Sequence, residues 1–231
     1  EEPRFLDMVD LIRGSDVAYT NLEMTLHNYE GYPAAQSGGT WTRADPCLVE
    51  DIKWMGFNIV STANNHSLDY MYEGLFSTID HLDAAGLPHS GTGANLAEAR
   101  QPALLELGAG RVALVSASST FAPFGMAGHT RRDLKGRPGL NPLRYNTHYV
   151  VKKEHIEALK EFSKSMGFPQ PPQPEGEFSF LRNRFVAGEA VGVHTEPHKG
   201  DMEGNLESVR DVSRQACLLY TSDAADEEDS V

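Results

Sequence analysis

The sequence predicts an α/β fold. Amphipathic stretches with apolar residues at helical spacing alternate with short apolar, β-prone runs over the first 120 or so residues, and loops rich in Asn, Gly and other polar residues follow the β-prone runs. Such loops, at the carboxyl ends of strands, are where folds of this class carry functional side chains. The chain has 231 residues, 40% hydrophobic and 23% charged, enough for one domain with a real core.

Phe5, Met8, Val9 and Ile12 recur at helical spacing, so residues 3–14 read as a helix stopped by Gly14 and Ser15. Residues 16–22 (DVAYTNL) read as a short buried strand, and 27–44 as a loop. Asp45-Pro46 supplies a helix start, Asp45 as N-cap and Pro46 at the first helical position; the helix ends at Gly56. Residues 57–62 (FNIVST) are the next strand and 63–70 (ANNHSLDY) the polar loop at its end. Leu75, Ile79 and Leu82 mark a helix over 71–85, closed by Gly86. The runs 103–107 and 112–116 flank Gly108-Ala109-Gly110 and read as a β-hairpin. Residues 121–148 are irregular, 152–166 a charged helix, 168–176 a Pro-rich loop, and a last helix is expected from Asn205 toward Ala216.

Composition excludes some functions. No stretch approaches the ~20 apolar residues of a membrane span, and residues 1–4 do not open a signal peptide. Residues 217–231 (CLLYTSDAADEEDSV) are set apart from the domain at 1–216; the first eleven resemble a translated sequencing adapter, so the segment reads as a non-native tail with few contacts to the core, a natural acidic tail being the alternative. The formal charge is −13, and −8 without the five acids of that segment. A chain this acidic has no general footprint for nucleic acid or anionic lipid. With Cys217 in the tail, Cys47 alone forms no internal disulfide.

Two motifs sit beyond predicted strands: Asn21-Leu22-Glu23, and Asn64-Asn65-His66-Ser67-Leu68-Asp69. Oxygen and imidazole donors at neighbouring strand ends suit a divalent metal, and a carboxylate three residues from an imidazole can fix its tautomer. Turn and cap chemistry is the plainer alternative for Asn64, Asn65 and Asp69. His194-Thr195-Glu196-Pro197-His198 is not a zincin motif, since Pro197 disfavours the helix it needs. Gly91-Thr92-Gly93 lacks the third glycine of a dinucleotide fingerprint. Arg131, Arg132, Lys135 and Arg137 form a basic loop, either simply solvated or a clamp for an anionic substrate.

Residues 56–93 (GFNIVSTANNHSLDYMYEGLFSTIDHLDAAGLPHSGTG), preceded by 16–26 (DVAYTNLEMTL), resemble the signature blocks of CapA-type poly-γ-glutamate capsule biosynthesis proteins, a branch of the calcineurin-like metallophosphoesterases. The resemblance covers most of residues 5–119 and implies part of a four-layer α/β/β/α sandwich. By position it makes Asn65 and Glu23 metal ligands, His66 the catalytic residue partnered by Asp69, and Asn21 and Asn64 supports behind them. Glu23 stands where the superfamily has a bridging Asp. Two divalent ions (Mn, Fe, Zn or Mg) are implied for the complete protein, with a first carboxylate ligand expected from a strand before residue 1 and others from strands after 216, so this chain is expected to hold a half-site. The implied function is a metal-dependent phosphoesterase-like hydrolase in capsule or poly-γ-glutamate synthesis. The alternative is a non-catalytic subunit of a capsule-synthesis complex that binds or guides an acidic polymer. The family suggests the cell envelope or exterior, with the cytoplasm left open.

Overall fold

In the computed structural model, which describes residues 2–37 and 39–224, the first apolar stripe forms α1 (Pro3–Arg13), with Val9 buried. β1 (Tyr19–Asn21) is shorter than the β-prone run, because the Asn58 side chain accepts from Ala18 N at 3.0 Å and donates to Asp16 O at 3.0 Å. A side chain thus occupies backbone groups that a longer strand would pair. β2 (Thr25–Leu26) and β3 (Arg43–Ala44) pair in parallel across the intervening loop. Asp45 forms a turn rather than the cap itself: its carboxylate accepts from Cys47 N at 3.0 Å, which lowers its pKa, and α2 (Leu48–Trp54) follows. Next come β4 (Ile59–Ser61), α3 (Met71–Ala84), β5 (His89–Ser90), β6 (Thr92–Gly93) and the short α4 (Leu96–Ala99). The expected hairpin is present as β7 (Ala103–Leu107) and β8 (Gly110–Ser118), and β9 (Gly139–Leu140) lies antiparallel to β6.

The chain gathers into two compact units, Tyr145–His198 and the remainder. The inserted unit contains β10 (Tyr145–Val151), α5 (Lys153–Ser165), β11 (Glu177–Phe180), β12 (Asn183–Ala187) and β13 (Gly192–Pro197). Its sheet has the order β11-β12-β10-β13, with α5 packed against β11 and β12. The first unit resumes with α6 (Lys199–Ser213) and β14 (Leu218–Ala224). Among the described residues no helix is long and apolar enough to cross a membrane.

Side-chain alternation shows the layering of the first unit. The parallel sheet β1-β4-β5 turns Val60 toward Val49 and Ile52 of α2 and Leu82 of α3. It turns Ile59 the other way, onto Ala103 and Leu114 of the second sheet, β14-β8-β7. Ser61 and Ser116 meet across the same interface, Oγ to Oγ at 2.7 Å. On the far side of β8, Ala113 and Val115 pack on Val212 of α6. Helix, sheet, sheet and helix make the four layers of an α/β/β/α sandwich.

Two expectations are corrected. α6 begins at Lys199, not near Asn205, because its first turn is pinned: Asp201, 3% exposed, takes Arg144 through Nε at 2.7 Å and Nη2 at 2.8 Å, and also accepts from Arg144 N at 3.0 Å. The tail expected to make few contacts instead contributes β14, parallel to β8 from Leu218↔Val112 to Ala224↔Ser118. Its Leu-Leu-Tyr-Thr run has β propensity, and the β8 edge opposite β7 otherwise exposes a row of unpaired backbone groups. Residues 225–231 of that tail lie outside the described residues.

The Arg144–Asp201 pair joins the point where the chain leaves the first unit to the point where it returns. Arg144→Ala leaves the Asp201 carboxylate buried without its guanidinium. We expect a loss of about 2 kcal/mol by urea denaturation, less than for a fully buried pair because the arginine is partly exposed; an unchanged midpoint contradicts this role.

Candidate functional site

β1 and β4 are parallel neighbours with Asn21 opposite Ser61, and Leu22 N donates to Ser61 O at 2.9 Å. The chain therefore leaves both strands side by side at one end, toward Glu23 from β1 and toward residues 62–69 from β4. The second loop is shaped by Ser67, whose hydroxyl accepts from Asn64 N at 2.9 Å and reaches Thr62 O at 2.6 Å and Asn64 O at 2.7 Å. Gly91 supports it from below. Its φ is +120°, and a Cβ there would lie 2.6 Å from both N and Cβ of Ala63.

Five of the six expected site residues join one hydrogen-bonded circuit. Asn21 Nδ2 donates to Glu23 Oε2 at 3.2 Å, and Asn64 Nδ2 donates to Asn21 Oδ1 at 3.1 Å and to Leu22 O at 2.9 Å. Asn64 Oδ1 accepts from His66 N at 3.0 Å, and His66 Nδ1 lies 2.8 Å from Asp69 Oδ2. Asp69 Oδ2 also accepts from Thr42 N at 2.6 Å, and the Thr42 hydroxyl is 3.2 Å from it and 3.0 Å from Glu23 O. The circuit thus closes on Glu23. Thr42 lies 27 residues from Asp69 in a loop of ordinary polar composition, and no sequence signal marks it.

Asn64 does what turn chemistry asks of it and also binds across to β1. Asn65 differs. Its Oδ1 is buried without a hydrogen-bond partner, and the residue lines a small cavity of about 10 Å³ with Asp69, Gln36, Phe121, Phe124 and Leu140. That is room for about one water-sized occupant. A buried amide oxygen without a donor costs on the order of 1–3 kcal/mol unless something binds it, and a hard or borderline cation is the partner its chemistry fits. Glu23 is exposed, with its second oxygen available. Among the described residues no three His, Cys, Asp or Glu side chains gather into a metal cluster.

His66 and Asp69 are both buried. When the ring is neutral and donates from Nδ1 to the carboxylate, Nε2 is the unprotonated nitrogen. His27, which sequence reasoning passed over, is fully buried behind this region: Nδ1 accepts from Tyr29 N at 3.0 Å, the ring packs on Tyr70 at 4.3 Å, and burial lowers its pKa. In the inserted unit His194 lies on β13, its ring stacked on His148 across the strands at 5.6 Å. Gly91-Thr92-Gly93 leads through β6.

Residues 2–166 match the model of a family described as bacterial capsule synthesis protein PGA_cap. Two uncharacterized proteins of Sinorhizobium fredii (strain NBRC 101917 / NGR234), y4sH and y4uA, are 34% identical over 212 residues, 90% of this chain and 46% of theirs. A Mycobacterium tuberculosis (strain ATCC 25618 / H37Rv) protein named "Probable polyglutamine synthesis accessory protein" is 36% identical over 129 residues, 54% of this chain and 32% of its own. The chain spans less than half the length of these relatives.

Gly91→Ala tests how the loop is held. A methyl group cannot fit against Ala63, and the backbone angle disfavours any L side chain. The variant should lose about 1–3 kcal/mol and show amide chemical-shift changes concentrated at Ala63–His66; wild-type stability with an undisturbed loop contradicts the packing described.

Proposed function

The chain belongs to the bacterial capsule synthesis protein family PGA_cap, and we propose that its strand-end site is the hydrolytic centre of a metal-dependent, phosphoesterase-like enzyme acting in capsule or poly-γ-glutamate synthesis. The observation that supports this reading most is the buried Asn65 oxygen without a partner, beside a His–Asp pair whose carboxylate also accepts from Thr42 N. Turn chemistry alone explains Asn64 but leaves Asn65 unexplained.

Asn65 Oδ1 and a Glu23 carboxylate oxygen would hold divalent ions, with further donors from parts of the longer protein. Such ions, when bound, polarise the scissile group and make a water more acidic. The remaining work falls to this chain's own residues. His66 Nε2 exchanges a proton with the leaving or attacking oxygen. Asp69 holds the ring in one tautomer and stabilises the imidazolium formed when Nε2 takes the proton. Thr42 donates to the same carboxylate oxygen, which keeps it aimed at Nδ1. Asn21 fixes one oxygen of Glu23 and leaves the other for a cation.

The word "accessory" in the name of the M. tuberculosis relative favours a second reading, a subunit that binds an acidic polymer without cleaving it.

Turnover of phosphomonoesters and phosphodiesters by the full-length protein with Mn²⁺ separates the two. The hydrolase reading expects activity above a metal-free control and a fall of roughly 10²-fold or more in His66→Ala. An inert wild type that binds poly-γ-glutamate supports the second reading instead.

A further inference from the structure

The segment expected to be irregular closes into a hairpin-like loop over residues 128–137, above a parallel bridge between Met126 and Leu140. Ala127 N donates to Leu140 O at 2.9 Å, Gly128 N to Arg137 O at 2.9 Å, and Arg131 N to Leu134 O at 2.9 Å. Its base is seated in the first unit: Ala127 is buried with Leu96 and Ala99, Leu96 N donates to Gly128 O at 3.1 Å, and Arg137 Nε donates to Met126 O at 2.8 Å. Gly136 lets one arm pass close to Asn95, where a Cβ would lie 2.3 Å from the Asn95 Cβ. The basic residues are therefore presented by an anchored hairpin and not by a solvated loop without structure.

Its charge runs against the rest of the protein. Residues 128–138 carry Arg131, Arg132, Lys135 and Arg137 against Asp133 alone, a local charge of +3 in a chain of −13. Arg131, Arg132, Lys135 and Arg137 are all exposed. Asp133 pairs with Arg131, and among the described residues no carboxylate lies within ion-pair distance of Arg132, Lys135 or Arg137. The base of the hairpin adjoins the candidate site, because Gly125 and Leu140 line the cavity that Asn65 and Asp69 also line. Arg131 is six positions along the chain from Gly125, so its backbone stands within about 22 Å of that wall.

We infer that the hairpin at residues 126–140 is a docking finger for an extended polycarboxylate chain, which it guides toward the Asn65–His66–Asp69 site. The inference rests on the second reading above, that the protein binds an acidic polymer. A net charge of −13 disfavours a polyanion over the protein as a whole, and the local +3 of this segment offers it an attractive patch. Arg132 and Lys135, with no carboxylate within ion-pair distance, bind a polyanion without first breaking an ion pair, and the contact is screened by salt.

The test is binding of fluorescently labelled poly-γ-glutamate to this chain, by anisotropy over a range of salt concentrations. Polyphosphate and neutral dextran serve as comparison polymers. Wild type should bind poly-γ-glutamate at low salt and lose it as salt rises. Arg132→Glu/Lys135→Glu should weaken binding at least tenfold and flatten the salt dependence. The charge-matched Lys152→Glu/Lys164→Glu variant, altered at the N-cap and in the last turn of α5, should bind within about twofold of wild type. The readout is binding and not turnover, so docking at the hairpin stands even if no phosphoester is cleaved. No binding by wild type overturns the inference, as does an equal loss in both double variants. Tighter binding of polyphosphate than of poly-γ-glutamate overturns the polycarboxylate assignment.

Discussion

Asp69 Oδ2 is the atom on which the candidate site depends. It faces the His66 ring on one side and both the backbone and the hydroxyl of Thr42 on the other. A carboxylate held by donors from two distant parts of the chain cannot rotate away from its imidazole without breaking them together. Through the Thr42 hydroxyl the same contact reaches Glu23 O, so the two strand-end motifs are fixed to each other as well as to their own strands. Asn65 lines the neighbouring cavity, its Oδ1 without a hydrogen-bond partner in the chain.

The four-layer architecture supplies what the circuit needs. The parallel register of β1 and β4 brings Glu23 and residues 62–69 to one end of the sheet. The second sheet lies close enough beneath for Ser116 to touch Ser61, and Gly91 permits that approach where a larger residue would push Ala63 outward. Farther in, Asn141 is fully buried and donates to Ser116 O at 2.8 Å and to Asn205 Oδ1 at 2.7 Å, tying β8 to α6. Asn205 in turn donates to Pro142 O and Asp201 O. Each buried polar group there has a partner, so the network adds rigidity without an unpaired penalty.

Much of the first unit was legible because its signals are local. Helical spacing marked α1, α2 and α3, Gly108-Ala109-Gly110 marked the β7–β8 hairpin, and the spacing of Asn64 to Asp69 placed the chemistry at the end of a strand. Thr42 was not legible, since its importance comes from the return of a long loop onto Asp69 and not from its neighbours in sequence. Nor was the sheet of the inserted unit. β13 is exposed along most of its length, and strands without a buried face lack the apolar alternation that identifies them. The start of α6 was misplaced for a related reason: Asp201 owes its burial to Arg144, 57 residues away. Long-range polar contacts decided each of the site and boundary features that periodicity missed, apart from the exposed strands.

The central claim is that Asn65 Oδ1 is a cation ligand, and crystals soaked in Zn²⁺ test it most directly through anomalous scattering at the zinc edge. The account predicts a peak about 2.0–2.2 Å from Asn65 Oδ1 that disappears in Asn65→Ala crystals. Zinc bound only elsewhere, with Asn65 Oδ1 hydrogen-bonded to an ordinary water, would contradict it.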